Sequence, residues 1–372
     1  MPSTLDYLTW RGDLLFTERP LNRVDNLIFS HLAYLNLEGL VPGPGEGAPV
    51  PLCEVLARYT KAGIDQSRRY QDPGPLLRKA GVCPRFAQVG VDGFVNQVDN
   101  DRQIQFAAMT FHLPDGSRYV AFRGTDNSIV GWREDFNTTF LAKTPGQEAA
   151  AAYLSAQAAC PLYVGGHSKG GNLAMYAAAF CAPSVQDRIL KVWTNDGPGF
   201  HGEILDAPGY AAILGRAELI VPQDSMVGIL LSSKLEPIVI QSSASGPMQH
   251  NPATWQVSGT DFVPAQGLSA MSQFLDQTLD RWNEDLTDSQ RQTVITAVFD
   301  ALDASGATTI SQINDNRWVC YNAILKAARS MEPQVQKTIT DSLKKLASAG
   351  KDILFDEAKK VFEKRRTEQI SD

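Results

Sequence analysis

Cysteine is sparse and unpatterned in this chain: Cys53, Cys83, Cys160, Cys181 and Cys320 are odd in number and include no C-x-x-C pair. That spacing argues against a disulfide framework and a thiolate zinc site, and it favours a reducing compartment. Histidine is equally scarce, with only His31, His112, His167, His201 and His250, so imidazole chemistry has few places to sit. Positive charge is not in excess either. The 34 basic residues face 41 acidic ones, for a net charge of -7, which removes the electrostatic pull toward nucleic acid. No window approaches the apolar length of a membrane span. Met1-Pro2-Ser3-Thr4-Leu5-Asp6 shows no basic stretch followed by an apolar run, so the cytoplasm is the expected location.

What is present suffices for one large core plus an appended region, since 43% of the 372 residues are hydrophobic. The most informative stretch runs from Val164 to Tyr176, Val-Gly-Gly-His-Ser-Lys-Gly-Gly-Asn-Leu-Ala-Met-Tyr. Within it Gly166-x-Ser168-x-Gly170 has the form of a nucleophile elbow. A short apolar strand (Pro161 to Val164) enters the turn and an Ala-rich helix leaves it. Glycines two before and two after the serine allow strand and helix to approach while the hydroxyl stays exposed. The P-loop order Gly-Lys-Ser/Thr is absent, which disfavours phosphate binding at this turn.

In a hydrolase of this form the acid and then the base follow the serine. Beyond the elbow the histidines are His201 and His250. His250, in the turn-rich Gly246–Pro252 stretch, is the better base by order and setting. Two acids follow strand-like runs closely, Asp196 after Ile189–Thr194 and Asp224 after Glu218–Val221, and both positions are eligible. The oxyanion donors expected are the backbone N–H of Lys169, next to the nucleophile, and that of Thr125, after the strand Arg118–Phe122.

Phe122-Arg123-Gly124-Thr125-Asp126, Gly131-Trp132-Arg133-Glu134-Asp135-Phe136 and the elbow together resemble the class 3 (fungal-type) lipase superfamily. The Gly-Gly-His-Ser-Lys-Gly-Gly-Asn-Leu-Ala elbow and Val24-Asp25-Asn26 resemble most closely a bacterial branch of domain-of-unknown-function hydrolases. The resemblance covers roughly Leu5 to Phe262. It implies an α/β-hydrolase fold and maps the triad onto Ser168, Asp224 and His250, with Thr125 at the oxyanion hole. Two departures stand out: Lys169 replaces the usual Leu, adding charge beside the site, and the Asp224 turn reads Val221-Pro222-Gln223-Asp224-Ser225.

Strand–helix–strand alternation from Arg118 to Val221 predicts a mostly parallel central sheet flanked by helices, with Gln105–His112 and Arg118–Phe122 forming a hairpin. Gln147–Ala159 reads as the helix leading into the elbow strand. The core is assigned to residues 1–262 and a helical C-terminal region to 263–372. Its helices are expected at Gln266–Leu286, Asp288–Leu302, Ser311–Arg329 and Gln334–Arg366. The last is basic and amphipathic and could touch anionic lipid, although a stripe docked on the protein is the favoured reading.

The expected activity is a serine hydrolase of carboxylic esters on a small-molecule or lipid-like substrate, with an acyl-enzyme intermediate and no metal or organic cofactor. A thioesterase or peptidase with the same triad, and a catalytically silent binding module in which Lys169 serves a ligand's acidic group, are the alternatives. The apolar run Met226–Leu231 after Asp224 is expected either to line an acyl pocket or to form a helix buried on the core.

Overall fold

The computed structural model describes residues 2–64, 72–99, 101–102, 104–125, 133, 143–284, 286–303, 333–341 and 344. The chain divides into two compact units, Met1–Leu268 and Ser269–Asp372. The division falls beyond Phe262 because residues 263–265 still bond back to the first unit: Val263 N donates to Gln256 O, and Ala265 N to Val239 O.

Eight strands make one sheet in chain order. They are β1 (Val50–Pro51), β2 (Gly90–Asp99), β3 (Ile104–His112), β4 (Arg118–Phe122), β5 (Leu162–His167), β6 (Ile189–Asn195), β7 (Ala217–Pro222) and β8 (Pro237–Ile240). Pairing is antiparallel from β1 to β4 and parallel from β4 to β8. With helices on both faces, this is an α/β-hydrolase fold. The hairpin expected from the Pro114-Asp115-Gly116 turn is β3–β4, with His112 opposite Arg118. Strand β2 escaped the periodicity because Gly93, at φ +64°, shifts the register between Asp92 and Val95 and breaks the period-2 pattern.

Both faces of the sheet are covered, and alternation along β4 shows how. Tyr119 and Ala121 join the core under the N-terminal helices; Val120 and Phe122 join the core under the later ones. The N-terminal face is layered by α1 (Thr4–Arg11), α2 (Arg23–Leu32), α3 (Leu52–Lys61), α4 (Gly74–Ala80) and α5 (Pro84–Ala87). The other carries α6 (Pro145–Ser155) and α7 (Lys169–Phe180). α6 starts earlier than its apolar pattern suggests because Thr144 and Gln147 form a capping box.

α2 is fixed at its start by Asn22, whose side chain accepts from Val24 N and Asp25 N. Asp25 also meets Arg85 in a fully buried ion pair, with Nη2 to Oδ2 at 2.5 Å. Arg85 spends further donors on Leu14 O and Arg19 O and lies over the Phe16 ring. Removing one partner strands a buried charge, so Arg85→Ala is expected to lower unfolding stability by about 3–5 kcal/mol in urea titrations. A loss below about 1 kcal/mol would mean that water reaches Asp25.

In the second unit α8 (Ala270–Glu284) and α9 (Asp288–Asp303) agree with two of the expected helices. Residues 333–341 are helical. The Ser311–Arg329 helix and nearly all of the basic amphipathic stripe lie outside the described residues, as do Gly131-Trp132, Glu134-Asp135-Phe136 and Cys320. No helix among the described residues is long and apolar enough to cross a membrane.

Candidate active site

The site is built at the carboxyl ends of β4, β5, β6 and β7. β5 runs straight into Ser168, which adopts φ +58°, ψ -134°, and α7 begins at Lys169. Such a conformation is strained for a serine and persists only where the surroundings enforce it. They do so by close packing. A methyl group at Gly166 would overlap the Gly170 carbonyl, and one at Gly170 would overlap Phe122 O. Ser168 N is held by Asn195 O at 2.9 Å, so the elbow is pinned to the adjoining strand end.

The β4 side of the elbow is equally tight. A Cβ built on Gly124 would lie 3.1 Å from Ser168 Cβ and would clash with the Tyr34 hydroxyl. Only glycine allows β4's end to pass so close to the elbow, and Thr125 follows directly. The backbone N–H of Lys169 is the first of the α7 N-terminus, where unpaired donors and the helix dipole favour developing negative charge. The Lys169 side chain reaches β3. It is buried, and its ammonium donates to Gln105 O at 2.8 Å and Gln105 Oε1 at 2.7 Å on β3.

His250 ends a 3-10 turn, Gly246–His250. Its partner is Asp196: His250 Nδ1 donates to Asp196 Oδ2 at 2.6 Å. Asp196 follows β6 directly, at φ +49° and fully buried. Its other oxygen, Oδ1, accepts from Ser225 Oγ at 2.5 Å and Gly228 N at 3.0 Å. Both carboxylate oxygens therefore accept hydrogen bonds, which suits a buried carboxylate.

Asp224, the acid implied by the lipase resemblance, does not meet the imidazole. Its Oδ2 accepts from Gly246 N at 2.7 Å and Gln249 Nε2 at 2.8 Å, while Asp224 N donates to Gln249 Oε1. It grips both ends of the turn that carries His250. β6 adjoins β5, whereas β7 lies one strand farther from the elbow. A carboxylate at the end of the nearer strand reaches the base first. His201 lies elsewhere, at the start of the short helix Gly202–Leu205.

Three groups here carried no sequence expectation. Ser225 and Gln249 have no motif, and His167 was read only as part of the elbow. The His167 ring is buried and lies 4.6 Å from the His250 ring, centroid to centroid. Burial first, then the charges of His250 and His31, push its pKa well below the ordinary 6.5. The unfolded chain takes up this proton near the ordinary value, so His167's share of stability is whole above about pH 6.5. It declines as pH falls below that value toward the folded-state pKa. Urea midpoints are expected to drop between pH 7 and 5, and less so in His167→Gln. Equal slopes would assign the drop to other groups.

Met226–Leu231 is neither a helix nor buried core. It is a turn-rich segment in which Val227, Ile229, Leu230 and Leu231 are half-buried and Met226 is exposed. Leu231 sits at φ +62°, an unfavourable conformation for a bulky residue. Met248, two residues before His250, is also exposed. Among the described residues no group of His, Cys, Asp and Glu is arranged to hold a metal ion.

No curated protein matches this chain. Solved structures similar to it include two lipases. Rhizomucor miehei lipase, in its propeptide complex, is 18% identical with a TM-score of 0.30, covering 41% of this chain and 57% of that one. M37 lipase is 14% identical with a TM-score of 0.34, covering 55% of this chain and 69% of that one. The chain thus spans just over half the length of the Rhizomucor lipase chain. A family model described as Mbeg1-like matches residues 81–300. That is more than half of the sequence, and it shows that the chain belongs to the Mbeg1-like family.

Proposed function

We propose that this protein is a serine hydrolase of carboxylic esters with a lipid-like acyl group. The observation that carries the reading is the 2.6 Å bond from His250 Nδ1 to the buried Asp196, beside a serine in a strained elbow. Asp196 holds the imidazole in the tautomer that leaves Nε2 free to accept a proton. Ser168 Oγ attacks the ester carbonyl carbon and its proton passes to His250 Nε2. The carbonyl electrons move onto oxygen, met by the N–H groups of Lys169 and Thr125. Collapse of the tetrahedral species expels the alcohol, protonated by His250, and leaves an acyl-serine. Water then loses a proton to His250 and attacks the acyl carbon. A second collapse releases the acid and returns the proton to Ser168.

The half-exposed apolar segment from Met226 to Leu231 supports an acyl substrate. Its main chain is tied to Asp196 through Gly228 N, which brings the segment up to the proposed acid. Each methylene removed from water contributes about 0.8 kcal/mol, so kcat/KM is expected to rise up to about fourfold per added methylene across short and medium p-nitrophenyl esters. Ile229→Asp is expected to flatten that rise while leaving acetate ester hydrolysis within about twofold. A wild type that prefers acetate would refute the lipid-like substrate. Matched thioesters in the same panel separate the thioesterase alternative.

A further inference from the structure

Resting on the serine-hydrolase reading, we infer that Tyr34 and His167 form a positioning relay that holds the main chain of His250 in register with Ser168. His167 Nε2 lies 2.8 Å from the carbonyl oxygen of His250. A carbonyl can only accept, so this nitrogen carries the proton and donates. The lone pair on His167 Nδ1 must then be met by a donor. The Tyr34 hydroxyl is there, at 3.0 Å. Each bond specifies the direction of the next, and the ring has one tautomer that satisfies both.

The relay holds by packing as well. The His167 ring faces the His250 ring and meets Trp255 edge-on at 6.2 Å, while Trp255 Nε1 donates to Gln249 O at 2.9 Å. The base's main chain is therefore gripped at two successive carbonyls, those of Gln249 and His250, by rings from two different elements. Asp224 grips the same turn from its other side. Because His167 immediately precedes Ser168, the relay ties the nucleophile's own strand to the base. A slip of about 1 Å between two such groups is enough to cost about 10²-fold in rate.

Tyr34 lies just past α2, outside the segment matched by the family model. Its placement comes from a second buried network along α2. Asn26 Nδ2 donates to Asn195 Oδ1 at 3.0 Å, and Asn195 Nδ2 donates to Gly166 O at 3.0 Å. Tyr119 Oη donates to Asn26 Oδ1 at 2.7 Å. The N-terminal helical layer thus supplies a working part of the site rather than a cover over the sheet. The relay carries no proton of the reaction and touches no substrate.

The test uses Tyr34→Phe, His167→Phe and His167→Gln in the full chain, each with and without His250→Ala. With p-nitrophenyl butyrate, His167→Phe is expected to lower kcat about 10²-fold and Tyr34→Phe about 10-fold, with KM within twofold. His167→Gln keeps a donor at the Nε2 position and is expected to recover most of the loss. In the His250→Ala background none of the three is expected to lower the residual rate further, since no imidazole is left to position. Equal losses in both backgrounds, or glutamine no better than phenylalanine, would overturn the relay. The low-field proton NMR signal of His250 Nδ1–H gives a readout independent of turnover. It is expected to broaden in His167→Phe and Tyr34→Phe; an unchanged signal in both overturns the relay. Absence of turnover and of fluorophosphonate labelling in the wild type would instead overturn the hydrolase reading, leaving the NMR result to decide the relay. Tyr34→Phe removes one oxygen from an otherwise intact core and serves if His167→Phe does not fold.

Discussion

Ser168→Ala is expected to abolish fluorophosphonate labelling and to lower ester turnover on the order of 10⁶-fold, the scale seen when a triad nucleophile is removed. The expectation follows from where Ser168 sits. Its φ of +58° places the side chain on the outer bend of a strand-to-helix turn, partly exposed at the head of α7. A companion substitution separates chemistry from structure. Ser168→Gly relieves the positive φ at a position where L side chains are strained, so it is expected to raise unfolding stability by about 1 kcal/mol while removing activity. Wild-type and Ser168→Ala proteins that label equally would move the nucleophile elsewhere. A Ser168→Gly variant that is both inactive and less stable would show that the hydroxyl also holds the elbow.

The second large effect distinguishes the two acids. Asp196→Asn is expected to lower kcat on the order of 10⁴-fold without unfolding the protein, because an amide facing His250 Nδ1 favours the wrong tautomer. Asp224→Asn keeps an oxygen that can still accept from Gly246 N and Gln249 Nε2, and its cost is expected to stay within about 10-fold. Asp224→Ala removes the oxygen that accepts both bonds from the turn carrying His250, so a loss of about 10²-fold is expected there through misplacement. Steady-state kinetics on folded, purified variants decide the ranking. An Asp224→Asn loss larger than that of Asp196→Asn would restore the lipase-like assignment.

Local chemistry was readable where it is local. Gly166 and Gly170 flank Ser168 at a spacing that has one economical use, and the structure confirms the strand, the turn and the helix at those residues. The β3–β4 hairpin announced itself through Pro114-Asp115-Gly116 between two apolar runs. By contrast β2 hid behind the Gly93 bulge, and Met226–Leu231 stayed open between a buried helix and an acyl-pocket lining because apolar composition alone does not tell a helix from a half-exposed turn.

Within roughly a dozen residues of chain, glycine spacing, capping and apolar alternation determined the elbow and the individual strands and helices, since each depends on steric and hydrogen-bonding rules that act between near neighbours; the α/β layering and the eligibility of His250 came from the order of these pieces along the chain. The partners of the two site histidines, His250 and His167, are a different matter. Asp196 is 54 residues from His250 and Tyr34 is 133 residues from His167. Which carboxylate meets the imidazole depends on β6, rather than β7, lying beside the elbow strand, and on the path of the turn that Asp224 and Gln249 hold. A hydrogen bond of 2.6 Å tolerates only a few tenths of an ångström of error. That tolerance is set by the register of whole strands and helices against one another, so only the folded chain could choose between two acids that local sequence made equally eligible.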